Sequence, residues 1–285
     1  MTDFKKVYGA MFKAQAKKML LGYGFCAVIA GVPWLAVGFS SHCHWNLNAA
    51  LGPIIISFPI IVFILAAFIY KYLLVIRCWK ISRSQTWRLL PVKSGSFVLA
   101  NSLSALVNYL CFIFLALATV AVFSIPLWMQ MSGQDYANMF KGIAEANRQV
   151  NLTATLLILL LLLMANFLGD VYYWLFLADS MEALADRLPF SGKSAKAVKA
   201  VIFVLLLAFF AFINNQFANA VVKLMGGEHG VSLFSEIFAP ASGHFSGSTF
   251  LIDLLLILAL QLAYVLLLGA LQWLVFNKFT EAKRS

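Results

Sequence analysis

From Leu20 to Tyr70 the chain carries no Asp, Glu, Lys or Arg, and Ser94–Gln134, Val150–Gly169, Ala200–Val222 and Leu254–Asn277 are equally free of charge. About 20 consecutive apolar residues in a helix cross the hydrocarbon core of a bilayer, so each stretch can span a membrane and the two longest must be divided further. Composition excludes the soluble alternative. Of 285 residues, 62% are hydrophobic and 11% charged, where a soluble domain carries about 25% charged residues. Mean hydropathy is +0.89. The first apolar run follows a lysine-rich start, as in a signal peptide. It lacks a small-residue exit and further spans follow it, so it reads as a retained first helix.

Turn signals and polar segments divide the apolar sequence into six spans, at about 19–39, 51–76, 96–128, 152–178, 200–223 and 249–276. Pro59 is expected to kink the second span. The third is longer than a bilayer needs, so either it projects or tilts, or Pro126 ends it and 127–131 lie along the interface. The polar connections are 40–48, 131–151 and 226–248, with a charged linker at 179–199. Within 226–248, Leu233, Phe234, Ile237 and Phe238 have helical spacing, which suits a short interfacial or re-entrant helix. In the N-terminal segment 1–18, Phe4, Val7, Tyr8, Met11 and Phe12 recur at helical steps among five lysines. That pattern predicts an amphipathic interfacial helix, though its stripe fades at Gln15; the bland alternative is a basic juxtamembrane tail. The expected fold is an all-α integral membrane protein: residues 1–18 as the interfacial helix and 19–285 as a six-span domain.

Lys and Arg are sorted between the connections. Lys5, Lys6, Lys13, Lys17, Lys18, Arg77, Lys80, Arg83, Arg88, Lys93, Arg187, Lys193, Lys196, Lys199, Lys278, Lys283 and Arg284 fall on one side. Only Lys141, Arg148 and Lys223 fall on the other, and Lys71 sits near the inner end of the second span. Seventeen against three predicts, by the positive-inside rule, that the first set and both ends are cytoplasmic. The net charge of +10 then reflects topology and contact with anionic lipid and not nucleic-acid binding.

No GxxxxGK[ST] phosphate loop, HExxH or GxSxG occurs in the sequence, so no bound cofactor is expected and no chemistry is assigned to the chain. Cys26, Cys43, Cys78 and Cys111 show no metal or disulfide spacing and read as small apolar residues. His42-Cys43-His44 lacks a carboxylate to complete a metal shell, and His229 and His244 carry no signal alone. Intramembrane polar residues stand out more. Asn215 and Asn219 share a helix face beside Asn214 and Gln216, and suit either a helix interface or a translocation path. Asp170 lies one turn after Asn166 in the fourth span and is a functional candidate because ionisable groups at depth are costly. Asp253 is expected to pair with Lys223 structurally.

The most distinctive cytoplasmic segment runs from Ile81 through Ser82, Arg83, Ser84, Gln85, Thr86, Trp87, Arg88, Leu89, Leu90 and Pro91 to Val92. Ser82 or Ser84 is a candidate cap for a short helix that Pro91 ends. Trp87, Leu90 and Ile81 would form its apolar side. Such a helix suits docking into a protein groove, with Trp87 and Arg88 as an anchor pair, or rest on the lipid surface.

Residues 82–92, continued by Phe97-Val98-Leu99-Ala100-Asn101-Ser102-Leu103-Ser104, resemble the region after the second span in permeases of bacterial ATP-binding-cassette (ABC) exporters. The similarity is to the second exporter superfamily, the multidrug or lantibiotic type found in Firmicutes. The six-span plan resembles that family over nearly the whole chain; the local motif covers about 20 residues. The resemblance implies that Arg83, Ser84, Gln85, Thr86, Trp87, Arg88, Leu89 and Leu90 couple to a separate ABC ATPase subunit, with contacts from 181–195 and the N-terminal helix. It also implies that the partner binds ATP and Mg, that two permease copies (identical or paralogous) pair, and that the complex sits in the bacterial plasma membrane. No substrate residue carries over. Two other classes stay open: a proton-coupled secondary transporter using Asp170 or Asp253, and a non-transporting membrane assembly protein.

Overall fold

A computed structural model describes residues 4–40, 51–84, 94–185, 193–224, 247–275 and 277. Among them the chain is entirely helical: α1 (Phe4–Ser40), α2 (Leu51–Arg83), α3 (Ser94–Phe123), α4 (Ile125–Gln130), α5 (Gly133–Val150), α6 (Leu152–Ala185), α7 (Lys193–Leu224) and α8 (Gly247–Val275). Segments within α1, α2, α3, α6 and α8 are long and apolar enough to cross a membrane. In α7 the apolar stretch Ala197–Phe212 is shorter. Large apolar side chains cover the outside of the bundles, with Leu21 at 69%, Phe25 at 68% and Leu266 at 73% exposure. Helices that are apolar all round need an apolar solvent, and the architecture is that of a multi-pass membrane protein.

The chain divides into two compact units, Met1–Phe140 and Lys141–Ser285. In the first, α1 and α3 run parallel with α2 antiparallel to both. Contacts between α1 and α3 climb in step: Gln15 meets Asn108, the Tyr23 hydroxyl meets Leu115 O and Thr119 Oγ1, and Trp34 Nε1 donates to Phe123 O at 3.1 Å. Against α2 the order reverses, with Phe63 near Tyr23, Tyr70 stacked on Phe112 at 4.8 Å, and Cys78 beside Asn101. One apolar cluster of this unit is Ala30, Phe63 and Ala116 with Tyr23, Val120 and Phe123 around it.

The second unit repeats the up-down-up order. α6 and α8 run parallel and approach closely where side chains vanish. A β-carbon on Gly169 would lie 3.3 Å from Gln261 Nε2 and 3.6 Å from Val265, and one on Gly269 would lie 3.5 Å from the Tyr172 ring. Ile158, Leu254 and Leu258 fill one end of that pairing. α7 returns antiparallel along α6: Tyr173 and Phe176 both pack edge-on against Phe210, and Leu184 lies near Leu206.

Several boundaries differ from those read in the sequence. Residues 4–18 run without a break into the first span. Val7, Met11, Gln15 and Met19, four apart, form one buried stripe, and Phe4, Tyr8 and Phe12 stack beside it. α2 continues to Arg83. α6 runs through Asp179 to Ala185 and α7 starts at Lys193, so most of the charged linker is helix. Charge in a last or first turn does not stop a helix; only a breaker does. The third span ends at Phe123. Ser124 turns the chain, and Pro126 lies in the first turn of α4, where its missing N–H costs nothing.

The expected polar connection 131–151 is largely helix α5. Its start is a capping box: Ser132 Oγ and Ser132 N–H both donate to Asp135 Oδ2, at 2.7 and 2.9 Å, while Asp135 N–H donates back to Ser132 Oγ at 3.2 Å. This arrangement satisfies otherwise orphaned first-turn amides. At the far end one residue, Asn151, joins α5 to α6 with φ of 49°. Asn tolerates this left-handed conformation. Its Oδ1 accepts from Ala154 N–H, and Asn147 Oδ1 accepts from Leu152 N–H at 3.0 Å.

Two outcomes follow. Gly169→Leu, which overpacks the α6–α8 contact, should destabilise the purified protein by about 1–3 kcal/mol. Gly24→Leu, where nothing lies within 4 Å, should leave thermal stability nearly unchanged. The hydrogen bonds from the Ser132 hydroxyl and then its backbone N–H hold the Asp135 pKa below its ordinary value. A depressed carboxylate stabilises above its unfolded-state pKa and loses that contribution as pH falls through the folded value. Hydrogen exchange of the first-turn amides of α5 should therefore be independent of pH-driven uncapping near neutrality and show uncapping only in acid below the usual Asp range.

Candidate functional site

The region flanking residues 85–93 is built on the last turns of α2 and the first turns of α3. Asn101 is the connecting residue. Its Nδ2 donates to Cys78 O at 2.9 Å and to Ser82 Oγ at 3.3 Å, while Ser82 Oγ itself donates to Cys78 O at 2.9 Å. All three side chains are buried. Ser104 Oγ returns to Asn101 O at 2.9 Å, and two turns along α3 Asn108 Nδ2 donates to Ser104 O and Gln15 Oε1, at 2.8 and 3.2 Å. Arg77 adds a bond to Ala14 O. A polar seam thus ties α1, α2 and α3 together along the basic end of the unit. Among the described residues, Gln15 Nε2, Asn101 Oδ1, Asn108 Oδ1 and the nearby Tyr70 hydroxyl have no hydrogen-bond partner.

This seam changes the reading of the 81–92 segment. Ile81 and Ser82 are not the start of a separate short helix; they belong to the last turn of α2, where both are buried. The Ser82 hydroxyl donates four residues back, to Cys78 O. Arg83 closes α2 with its guanidinium 4.2 Å from the centre of the Trp79 ring, a cation–π contact, and Ser84 N–H donates to Ile81 O. Gln85, Thr86, Trp87, Arg88, Leu89 and Leu90 lie outside the described residues. The second half of the family-like motif has a packing role: Phe97, Val98, Ala100, Asn101, Ser102 and Ser104 form the buried face of α3.

In the second unit, Asn166 and Asp170 lie four apart on α6, Asn166 exposed and Asp170 half-buried. Asn215 and Asn219 are both exposed on α7. The register set by Tyr173 and Phe210 brings Asp170 to about the height of the turn that follows Phe210, so both polar pairs occupy the same level of this unit. The side chains of Lys223 and Asp253 lie outside the described residues, as do His42, Cys43, His44, His229, His244 and the whole 226–246 segment.

Two polar residues that hydropathy passed over are buried. Gln15 is 0% exposed, at the position where the N-terminal stripe seemed to end. Asp179, placed by its charge in a linker, is 8% exposed and accepts from Gln272 Nε2 at 2.6 Å, with Gln272 at 1%. A separate apolar pocket of about 330 Å³ is lined by Phe176, Ser180, Leu184, Leu206, Phe210 and Val275. Cys26, Cys78 and Cys111 are free thiols, and no group of three His, Cys, Asp or Glu converges on a metal-sized site among the described residues. No protein-family model matches the chain, and no curated protein or solved structure was found to match it.

Asn101→Ala removes both donors to α2 and should lower stability by about 1–3 kcal/mol, read as thermal unfolding of the purified protein. Ser104→Ala, whose hydroxyl bonds only within its own helix, should cost clearly less. Equal losses would deny Asn101 its bridging role.

Proposed function

We propose that the chain is the membrane-spanning permease subunit of an ATP-driven exporter, coupled through residues 83–90 to a separate ABC ATPase. The observation that carries this reading is the clamp of Asn101 on the last turn of α2. It fixes the point where residue 84 leaves the bundle, and α3 resumes at Ser94. A segment held between two helices tied to each other can transmit a push to both, which is what a coupling element needs.

The sense of the helices supports a reading with six crossings. α6 and α8 run parallel, so a chain that traverses the membrane with both must cross back between them, and α7 runs opposite in that place. The same holds for α2 between α1 and α3. With six crossings both ends would lie on one side, and the Lys and Arg distribution supports the cytoplasm as that side. The bacterial plasma membrane, pairing with a second permease copy, and ATP and Mg held by the partner all rest on the family resemblance. In this scheme ATP-driven closure of the partner ATPases favours one of two arrangements of the spans.

A second reading, a proton-coupled secondary transporter, is favoured by one observation: the buried Asp179 carboxylate against Gln272, an ionisable group inside a span. One experiment separates the two. Trp87→Ala with Arg88→Ala should insert normally but lose at least tenfold in co-purified ATPase, and efflux should stop when the phosphate loop of that ATPase is destroyed. Transport that persists without the ATPase and collapses with an uncoupler at constant ATP would favour the secondary transporter.

A further inference from the structure

We infer that α5 is a membrane-surface helix, with Tyr136, Met139, Phe140 and Ile143 embedded in the lipid interface. At 100° per residue these four side chains fall on one side of the helix. Asp135, Lys141, Glu145 and Arg148 fall on the opposite side or its edge, and all four are exposed. Phe140 is 63% and Ile143 46% exposed, so the apolar stripe is not used up inside the protein. A polar helix draws its stability mostly from packing one apolar face, and this one has an apolar face and needs a surface for it.

The lipid interface is the occupant that the chain path supplies. Both ends of α5 lead directly into membrane-crossing helices. On one side α3 ends at Phe123 and α4 carries exposed Ile125, Trp128 and Met129 up to the Ser132 cap; the Tyr136 hydroxyl bonds back to Trp128 O. On the other, the single residue Asn151 separates α5 from α6, whose first turns expose Leu156 and Leu157. The helix therefore starts and stops where spans leave the bilayer. Asn147 also falls on the apolar side, but its side-chain oxygen is occupied by the Leu152 N–H. Two acidic and two basic side chains cancel, so attachment is apolar in origin and has no need of anionic lipid. Nothing in this inference depends on the exporter reading.

The test uses the full chain in phospholipid nanodiscs with a genetically encoded fluorescent amino acid at position 140 or 145. Lipids brominated in the acyl chain should quench position 140 several-fold more than position 145, in zwitterionic and anionic discs alike, and aqueous iodide should show the reverse order. Position 143 serves in place of 140 if the fluorophore there blocks folding. Quenching of 140 by iodide as strong as that of 145 would mean the face is open to water. Protection of 140 from both quenchers would mean that protein, such as a second copy of the chain, covers it. Either result overturns the assignment.

Discussion

Lipid offers no hydrogen bonds. A helix can satisfy its own backbone there, but every amide or carboxylate carried into the bilayer must find a partner in the protein or pay for exposure. That constraint explains where the two bundles are tied. Asn101 bonds to a backbone carbonyl and a hydroxyl of α2, Asn108 bonds to Gln15 of α1, and Gln272 reaches Asp179 between α8 and α6. Apolar packing between helices in lipid lacks the driving force it has in water, so close approach at small residues and such polar bonds decide which helices pair. Gly169 and Gly269 provide the first, and the amide contacts the second.

Each unit has the same sense of chain: two parallel helices in contact, with an antiparallel third between them in sequence. The interhelical bonds differ in character. In the first unit they run along the α1–α3 contact and cluster with the α2 bonds near residue 84, and among the described residues several buried polar atoms there have no hydrogen-bond partner. In the second, a buried carboxylate accepts from a buried amide.

The spans were legible because hydrocarbon thickness demands runs of about 20 apolar residues, and the centres of α1, α2, α3, α6 and α8 coincide with such runs. Helix ends were not. Hydropathy marks where lipid stops and says nothing about where hydrogen bonding stops, so α2, α6 and α7 overrun their apolar stretches. Gln15 and Asp179 were missed for a related reason: each is polar, and a polar residue reads as surface unless its partner is known. Gln15 has Asn108 93 residues away and Asp179 has Gln272 equally far. α5 could have been found. The Ser132 to Asp135 spacing is a capping signature, and the apolar residues from Tyr136 to Ile143 recur at three- and four-residue steps; averaging its charge and apolar content hid both. The Asn166–Asp170 and Asn215–Asn219 pairs were correctly placed on helices by spacing, but their common height needed the Tyr173–Phe210 contact.

In the proposed mechanism the polar seam matters because it aims one cytoplasmic segment at a partner. Residue 87 is the centre of that segment, and its side of the membrane can be read directly. A single cysteine at position 87, with the four native cysteines replaced, is challenged in intact cells with a membrane-impermeant maleimide. No labelling until the membrane is permeabilised is the outcome required here; full labelling of intact cells would put the segment outside and contradict the account.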